Sequence, residues 1–489
     1  MTHRQRLTLV AAILGSGVAT IDGTIVNVAL PAIQRQLGGG LMAQQWISNA
    51  YLLMLGSLIL IGGSLGDIYG ERRIFQLGVA AFGVFSVACA LAPTIGFLVA
   101  GRALQGAAGA LLVPSSLAVI VGAFEPQKRG AAIGAWTAWG AGGAVIGPLA
   151  GGLIVDSASW RWIFAINVPL VLITLVLISM AIPSTVQNRA RRVDLAGGAM
   201  CVVGLGGVVF ALIEEPHHGW ASPVIFVPLA VGVLALGAFL RYERRTTDPM
   251  LELRLFRRRN FAVGNLETLA MYAGLAVLFF FLIIFLQEVA GFSAISAGLT
   301  TLPVTVVMFV LSRRFGALAD RHGPRLFMAG GPLVGSVGIL LLLRTGLRTS
   351  YVTDVLPGLV VFALGLSMTV APLTATVLAD ADESDAGIAS AINNAVARVA
   401  GLVGVSIIGV AVSSSLPGDT FARNPSSVAA FHHALLICAG LVAAGGLMGL
   451  AGIVNPRRRV LAEGCPGGQI VGAPEELTGQ LVPAPSHTS

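Results

Sequence analysis

The sequence predicts an all-α integral membrane protein: two pseudo-symmetric six-helix bundles plus two inserted helices, fourteen transmembrane helices in all, with both termini cytoplasmic. Three observations predict it. Of 489 residues only 11% are charged and 55% are apolar, with a mean hydropathy of +0.85. A soluble protein carries about 25% charge, and this chain has too little to cover a water-facing surface, which excludes a soluble enzyme, a nucleic-acid binder and a disordered scaffold. Apolar runs of about 20 residues, the length that crosses a hydrocarbon core, recur throughout. Finally, one short segment occurs twice, at the same place in each half of the chain.

The spans begin near Leu7, Gln45, Ile74, Ile95, Gly130, Trp162, Leu195, Pro223, Phe261, Ala294, Leu326, Val355, Gly387 and Ser427. The first follows Arg4 and Arg6 like a secretory leader, but its apolar run continues past Asp22 to Leu30 without a convincing cleavage site, so it reads as a retained span. Continuous runs such as Leu275 to Leu286 exclude the alternation of a membrane β-barrel. The 62 glycines suit helices that pack closely in lipid.

Basic residues fix the orientation. With the N-terminus inside, 23 Arg and Lys fall in cytoplasmic segments and five, Arg35, Arg161, Arg344, Arg348 and Arg423, outside. That bias places both ends in the cytoplasm and accounts for the net charge of +7 without a nucleic-acid partner. The acidic stretch from Asp380 to Asp385 runs against the bias but is short. Four widely spaced cysteines suggest neither a disulfide framework nor a metal site. His217 and His218, beside Glu214 and Glu215, read as a solvated outer loop in preference to a metal site.

The duplicated segment is Gly63-Ser-Leu-Gly-Asp67-Ile-Tyr-Gly70-Glu-Arg72-Arg73 after the second span and Gly316-Ala-Leu-Ala-Asp320-Arg-His-Gly323-Pro-Arg325 after the tenth. Setting aside the seventh and eighth spans leaves a 6+6 repeat, the mark of a transporter with a cavity between its halves. The expected divisions are 1–183 for the first bundle, 184–258 for the inserted pair and its linkers, 259–455 for the second bundle and 456–489 for a disordered cytoplasmic tail.

Further motifs complete a resemblance. They are Asp22-Gly-Thr-Ile-Val-Asn27 through Pro31, Gly101-Arg102-Ala-Leu-Gln105-Gly106, the run Gly140 to Gly152 that holds Gly143, Gly147, Pro148, Gly151 and Gly152, and Trp160 to Pro169. With the duplicated segment, over residues 5 to 455, they resemble the major facilitator superfamily (MFS), in particular its fourteen-span drug:proton antiporters of the multidrug and quaternary-ammonium efflux type. The chain departs from the family's loop motif at Glu71, usually Arg or Lys, and at Ile68, often Arg. The resemblance implies the MFS fold, a multi-pass protein of the cell membrane and proton-coupled export of amphipathic or cationic compounds. It implies protons, the substrate and the lipid bilayer as partners, a monomer, no enzyme activity, no cofactor and no metal. Export of one dedicated metabolite or self-made antibiotic, or a transport-inactive sensor or scaffold, are the alternatives.

Residue by residue, Asp22 is expected about eight residues before the outer end of its helix, roughly 12 Å deep. A carboxylate there is costly to charge without water, the property a proton carrier needs. Arg102, at similar depth from the outside, would be severely penalised without an acidic partner, so the two are expected close together. Glu267 completes the proton-coupling candidates, with two readings: part of an inner polar patch with Asn265, Asn393 and Asn394, or an interfacial partner of Arg258 or Arg259. Arg398, near mid-membrane, is expected to bond a carbonyl or an acid of the second half. Gly63, Asp67, Gly70, Arg72, Arg73, Gly316, Asp320, Gly323 and Arg325 are read as gating loops whose charges bond in one access state only. Gly143, Gly147, Pro148, Gly151 and Gly152 let the fifth helix bend and pack; no Gly-Lys-Ser/Thr follows them, so they form no phosphate loop. Asn27, Tyr51, Gln105, Trp136 and Trp139 join Asn265, Asn393 and Asn394 as cavity candidates, while Trp46, Trp160 and Trp162 read as an interfacial belt.

Overall fold

The computed structural model describes residues 1–183, 193–247, 249–379 and 386–455. The expected cytoplasmic residues Arg189, Arg191 and Arg192, the acidic stretch from Asp380 to Asp385 and the tail from residue 456 onward lie outside the described residues. The first half comprises α1 (His3–Leu37), α2 (Gly40–Tyr69), α3 (Glu71–Ala90), α4 (Ile95–Ala123), α5 (Pro126–Ser157) and α6 (Trp162–Ala181, broken at Ile166). The inserted pair is α7 (Leu195–His218) and α8 (Pro223–Glu243). The second half comprises α9 (Arg259–Glu288), α10 (Ala294–His322, broken at Thr300), α11 (Pro324–Arg344), α12 (Tyr351–Ala379), α13 (Ala386–Ser413) and α14 (Pro425–Gly452). Among the described residues thirteen helices are long and apolar enough to cross a membrane; α5, of 32 residues, carries a shorter apolar stretch over Ile146–Ser157.

Local chemistry sets the helix ends. The Thr2 side chain accepts from Gln5 N while the Gln5 side chain accepts from Thr2 N, a reciprocal cap that starts α1. Thr94 and Asn424 cap α4 and α14 in the same manner from one side. Gly70 and Gly323 turn the chain out of α2 and α10 at φ of +92° and +90°, where an L side chain is strained. This is why the duplicated segment keeps a glycine in both copies. The remainder of that segment corrects the loop expectation: Gly63, Asp67, Gly316 and Asp320 are helical, in the closing turns of α2 and α10, and only the glycine and its neighbours form the connection. His217 and His218 likewise end helix α7 and are not in a loop.

Large apolar side chains such as Leu77, Val84, Leu234 and Phe309 point outward, an exposed apolar surface that fits lipid and not water. Inside, α9 is the most enclosed span, with Phe280, Phe281 and Phe285 in a cluster where Phe285 stacks on Phe431 of α14 at 4.2 Å. Trp160 also departs from the belt expectation: it is buried, and its Nε1 donates to Gln36 at 2.7 Å.

The halves are tied together at the end that carries the α1–α2 turn. There Gln45 donates to the Val405 carbonyl at 2.9 Å, Asn49 to Ser406 at 2.9 Å and Gln287 to the Val28 carbonyl at 3.0 Å. Two acids bind helix starts across the divide. Asp156, at the end of α5, accepts from the amides of Ala294 and Ile295 that open α10, at 3.1 and 2.8 Å. Asp419, just after α13, accepts from the Met42 amide in the first turn of α2 at 3.0 Å. By the 6+6 repeat α5 corresponds to α13 and α2 to α10, so the two clasps are pseudo-symmetric copies. Each sets a carboxylate on the positive end of a helix dipole.

Candidate functional site

The buried polar centre of the first half is built from five of its helices. Asp22 of α1 is 0% exposed and Arg102 of α4 is 1% exposed; the Arg102 guanidinium is ion-paired and hydrogen-bonded to Asp22 Oδ2. Asp22 Oδ1 accepts from Gln105 at 2.9 Å and from Asn167 of α6 at 3.0 Å. Gln105 also donates to Ser86 of α3 at 2.8 Å and accepts from Arg102 at 2.7 Å. Arg102 Nε donates to the Ile47 carbonyl of α2 at 3.2 Å. Arg102 and Gln105 share a face of α4 because three residues make almost one helical turn. The buried pair is supported by further bonds at Arg102 Nε and Asp22 Oδ1; breaking such a pair from one side costs about 3–5 kcal/mol.

The expected pairing of Asp22 with Arg102 is therefore present. The helix end differs: α1 continues through Pro31 to Leu37, so Asp22 lies well before it and not about eight residues from it. Pro31 lacks an amide and drops one intrahelical bond without ending the helix. Gln105 belongs to this network and not to a cavity wall. Ser86 and Asn167 escaped the sequence reading, since a lone Ser and Asn in apolar runs carry no signal until the helices that bear them meet Asp22.

Tyr51 closes the network on one side. Its ring lies 4.3 Å from the Arg102 guanidinium carbon, and its hydroxyl donates to the Ala19 carbonyl at 3.1 Å. It also lines a central cavity of about 180 Å³, together with Ser16, Thr20, Trp136, Asn394 and Arg398. Trp136 and Asn394 thus reach the cavity as expected. Trp139 is 60% exposed on the far side of α5, and Asn27, nearer the α1–α2 turn, accepts from Ser48 at 3.3 Å; neither lines the cavity. A second, apolar cavity of about 530 Å³ lies between α2, the inserted pair, α9 and α13, with Asn265 on its wall.

Glu267 corrects both sequence readings. Asn393 donates to Asn265 at 3.1 Å and to Thr268 at 2.8 Å, forming the expected link between α9 and α13. Two residues along a helix turn a side chain by about 200°, however, and Glu267 faces α14 instead. It is fully buried beside Gly445 and Gly449, and neither carboxyl oxygen has a hydrogen-bond partner among the described residues. Arg259 bonds the Ala451 and Gly452 carbonyls, not Glu267. Arg398 makes no hydrogen bond or ion pair among the described residues, against the expectation of a carbonyl or acidic partner.

Two of the expected gating residues bond within their own halves. Arg72 donates to the Ser179 carbonyl at the end of α6, and Arg325 to the Leu450 carbonyl at the end of α14. Arg4 and Arg259 cap the same two helix ends at Ala181 and Gly452. Each half therefore ties its sixth helix to its first and third by a pair of arginines. Asp67, Arg73 and Asp320 are exposed.

The glycines of α5 serve two neighbours. A Cβ at Gly147 would lie 2.1 Å from Thr24 Oγ1 and one at Gly151 2.6 Å from Ile25 Cγ1, both on α1, while Gly143 rests against Ile21. On the other face a Cβ at Gly152 would lie 2.4 Å from Ile295 Cα of α10, and Gly298 meets the Pro148 carbonyl. One helix thus packs backbone-close on its own half and on the opposite half.

Two repeated helical halves in an apolar envelope, with a buried ion pair beside a cavity between them, define a multi-pass membrane transporter rather than an enzyme. The Major Facilitator Superfamily family model matches residues 12–405. The chain belongs to that superfamily. It is 34% identical to "Multidrug resistance protein Stp" of Mycobacterium tuberculosis (strain CDC 1551 / Oshkosh), over 85% of this chain and 77% of that protein. It is 35% identical to "Puromycin resistance protein pur8" of Streptomyces alboniger, over 86% and 84% respectively. With "Methylenomycin A resistance protein" of Bacillus subtilis (strain 168) it shares 34% identity over 83% and 87%. Among solved structures a D-xylose-proton symporter superposes with a TM-score of 0.64 at 16% identity, over 92% of this chain and 98% of that one, a likeness of fold.

Proposed function

We propose that this protein exports amphipathic drug-like compounds across the cell membrane in exchange for protons, by alternating access between its two halves. In this reading the chain crosses the membrane fourteen times with both termini in the cytoplasm. The clasps of Asp156 and Asp419 then lie on the outer side, and the structure corresponds to an inward-facing state. The names of its relatives, which speak of resistance to puromycin and methylenomycin A and of multidrug resistance, support the direction of transport.

The observation that carries the proposal is the position of Asp22: an ionisable group withdrawn from water, held by Arg102 and separated from the cavity by one aromatic ring. Arg102 supplies the charge that compensates the buried Asp22 carboxylate, so moving one disturbs the other. A ligand that shifts Tyr51 disturbs Arg102, so substrate and proton are linked through contact. One proton moving inward across 100 mV releases about 2.3 kcal/mol, enough for roughly a fifty-fold gradient of a neutral substrate. Dye efflux from cells expressing the protein, measured with and without a protonophore, tests this: efflux should stop when the proton gradient is collapsed while ATP is maintained. Efflux that persists under those conditions contradicts the proposal.

A further inference from the structure

We propose that the central cavity selects compounds carrying an anionic or acceptor-rich oxygen group on an apolar aromatic body, and that Arg398 determines that selection. This deepens the exporter reading, on which it rests, by naming the substrate class.

The charge on the cavity wall is one-sided. Four hydroxyls there have already given their protons to backbone carbonyls: Ser16 to Ala12, Thr20 to Ser16, Tyr51 to Ala19 and Thr137 to Ile133. Their oxygens still accept, as does the Asn394 carbonyl, but the charged group and the buried unpartnered N–H on this wall are donors. Arg398, a half-buried guanidinium, makes no hydrogen bond or ion pair among the described residues. The Trp136 Nε1–H is buried with no partner among the described residues. The Asn394 amide spends one N–H on the Ser390 carbonyl at 3.1 Å and keeps the other. Among the described residues no acidic side chain lines the cavity.

The contrast with Arg102 is direct. Arg102 is buried more deeply, at 1% exposed, and has Asp22, Gln105, a carbonyl and the Tyr51 ring around it, whereas the half-buried Arg398 has no such set. A cation withdrawn from water without compensation is unfavourable, and an oxyanion brought in by a ligand supplies what Arg398 lacks. A cationic ligand meets the opposite situation: its charge faces a like charge and finds no acid.

The donors also come from both halves. Trp136 is on α5 and Arg398 and Asn394 are on α13, helices that correspond in the repeat. A Cβ at Gly56 of α2 would stand 3.3 Å from the Arg398 Cβ, so α2 is packed against the stem of that side chain. A ligand held by Trp136 and Arg398 together bridges the two bodies that move apart during transport. Indole and tyrosyl rings on the wall suit an aromatic body.

Carboxyfluorescein and rhodamine 123 share a xanthene ring system and carry opposite charge. Their binding to the purified full-length protein is read by quenching of tryptophan fluorescence, and their transport in proteoliposomes under an imposed pH gradient. We expect carboxyfluorescein to bind at least about tenfold more tightly, the scale of one charge-assisted contact. Arg398→Gln should remove that preference and leave rhodamine 123 binding unchanged or improved, and Arg398→Lys should restore part of it. Trp136→Phe, which keeps the ring and removes the N–H, should weaken carboxyfluorescein selectively and provides the test should Arg398→Gln not fold. Preference of the unmodified protein for rhodamine 123, binding of neither dye, or equal weakening of both dyes by Arg398→Gln overturns the proposal. Charge-selective binding without gradient-driven transport leaves it standing and counts against the exporter reading instead.

Discussion

The ring of Tyr51 lies 4.3 Å from the guanidinium of Arg102 on one side and forms part of the central cavity wall on the other. One side chain thus separates the space for a ligand from the buried carboxylate of Asp22. We expect Tyr51→Ala to open that partition and give a passive proton leak in proteoliposomes, measured with a pH-sensitive dye, above that of the unmodified protein. Tyr51→Phe keeps the ring, loses only the bond to Ala19 and should cost about 1 kcal/mol of stability without a leak. A tight Tyr51→Ala protein excludes the ring as the barrier.

The Asp22–Arg102 pair should show strong coupling. Arg102→Gln leaves the carboxylate buried and unpaired and should lower stability by about 3–5 kcal/mol. Asp22→Asn with Arg102→Gln replaces both charges by amides and should recover much of that loss. Thermal unfolding of the single and double variants in detergent measures the coupling, and additive effects would show that the pair contributes nothing specific.

The clasps made by Asp156 and Asp419 should bias the conformational equilibrium. Each Asp→Asn change removes a carboxylate from a helix start, worth about 1 kcal/mol, and should raise the population open at that end about fivefold. Spin labels on Ser157 and Ser296, both exposed, report the separation of α5 from α10. Longer distances are expected in Asp156→Asn, and longer still in the double variant. Unchanged distances would show the clasps to be incidental.

The α5 glycines should divide by neighbour. Gly147→Val drives a side chain into Thr24 of the same half and should prevent accumulation of folded protein. Gly152→Val meets Ile295 of the opposite half, which can retreat by rocking, so the variant should fold with its halves held apart at that end. Size-exclusion profiles and the spin-label distances distinguish the two outcomes; similar behaviour of both variants removes the division.

The sequence made most of the architecture legible because the governing signals are local: apolar run length, helix caps and the duplicated glycine turn. Asp22 and Arg102 could be paired from equal depth alone, since neither is tolerable by itself in an apolar run. What escaped depends on direction around a helix or on contacts between distant elements. Glu267 and Asn265 are two residues apart, yet they face different helices. Asp156 and Asp419 look like ordinary charges near helix ends until the fold brings each onto a helix start of the opposite half. Arg398 looked to be in need of a partner; the fold places it on the cavity wall with none among the described residues.

The most direct test of the central claim is substrate efflux in proteoliposomes under an imposed pH gradient, comparing the unmodified protein with Asp22→Asn. The account requires gradient-driven transport in the first, and in the second a folded protein that binds substrate but does not transport it against a gradient. Uphill transport by Asp22→Asn at the unmodified rate would contradict it.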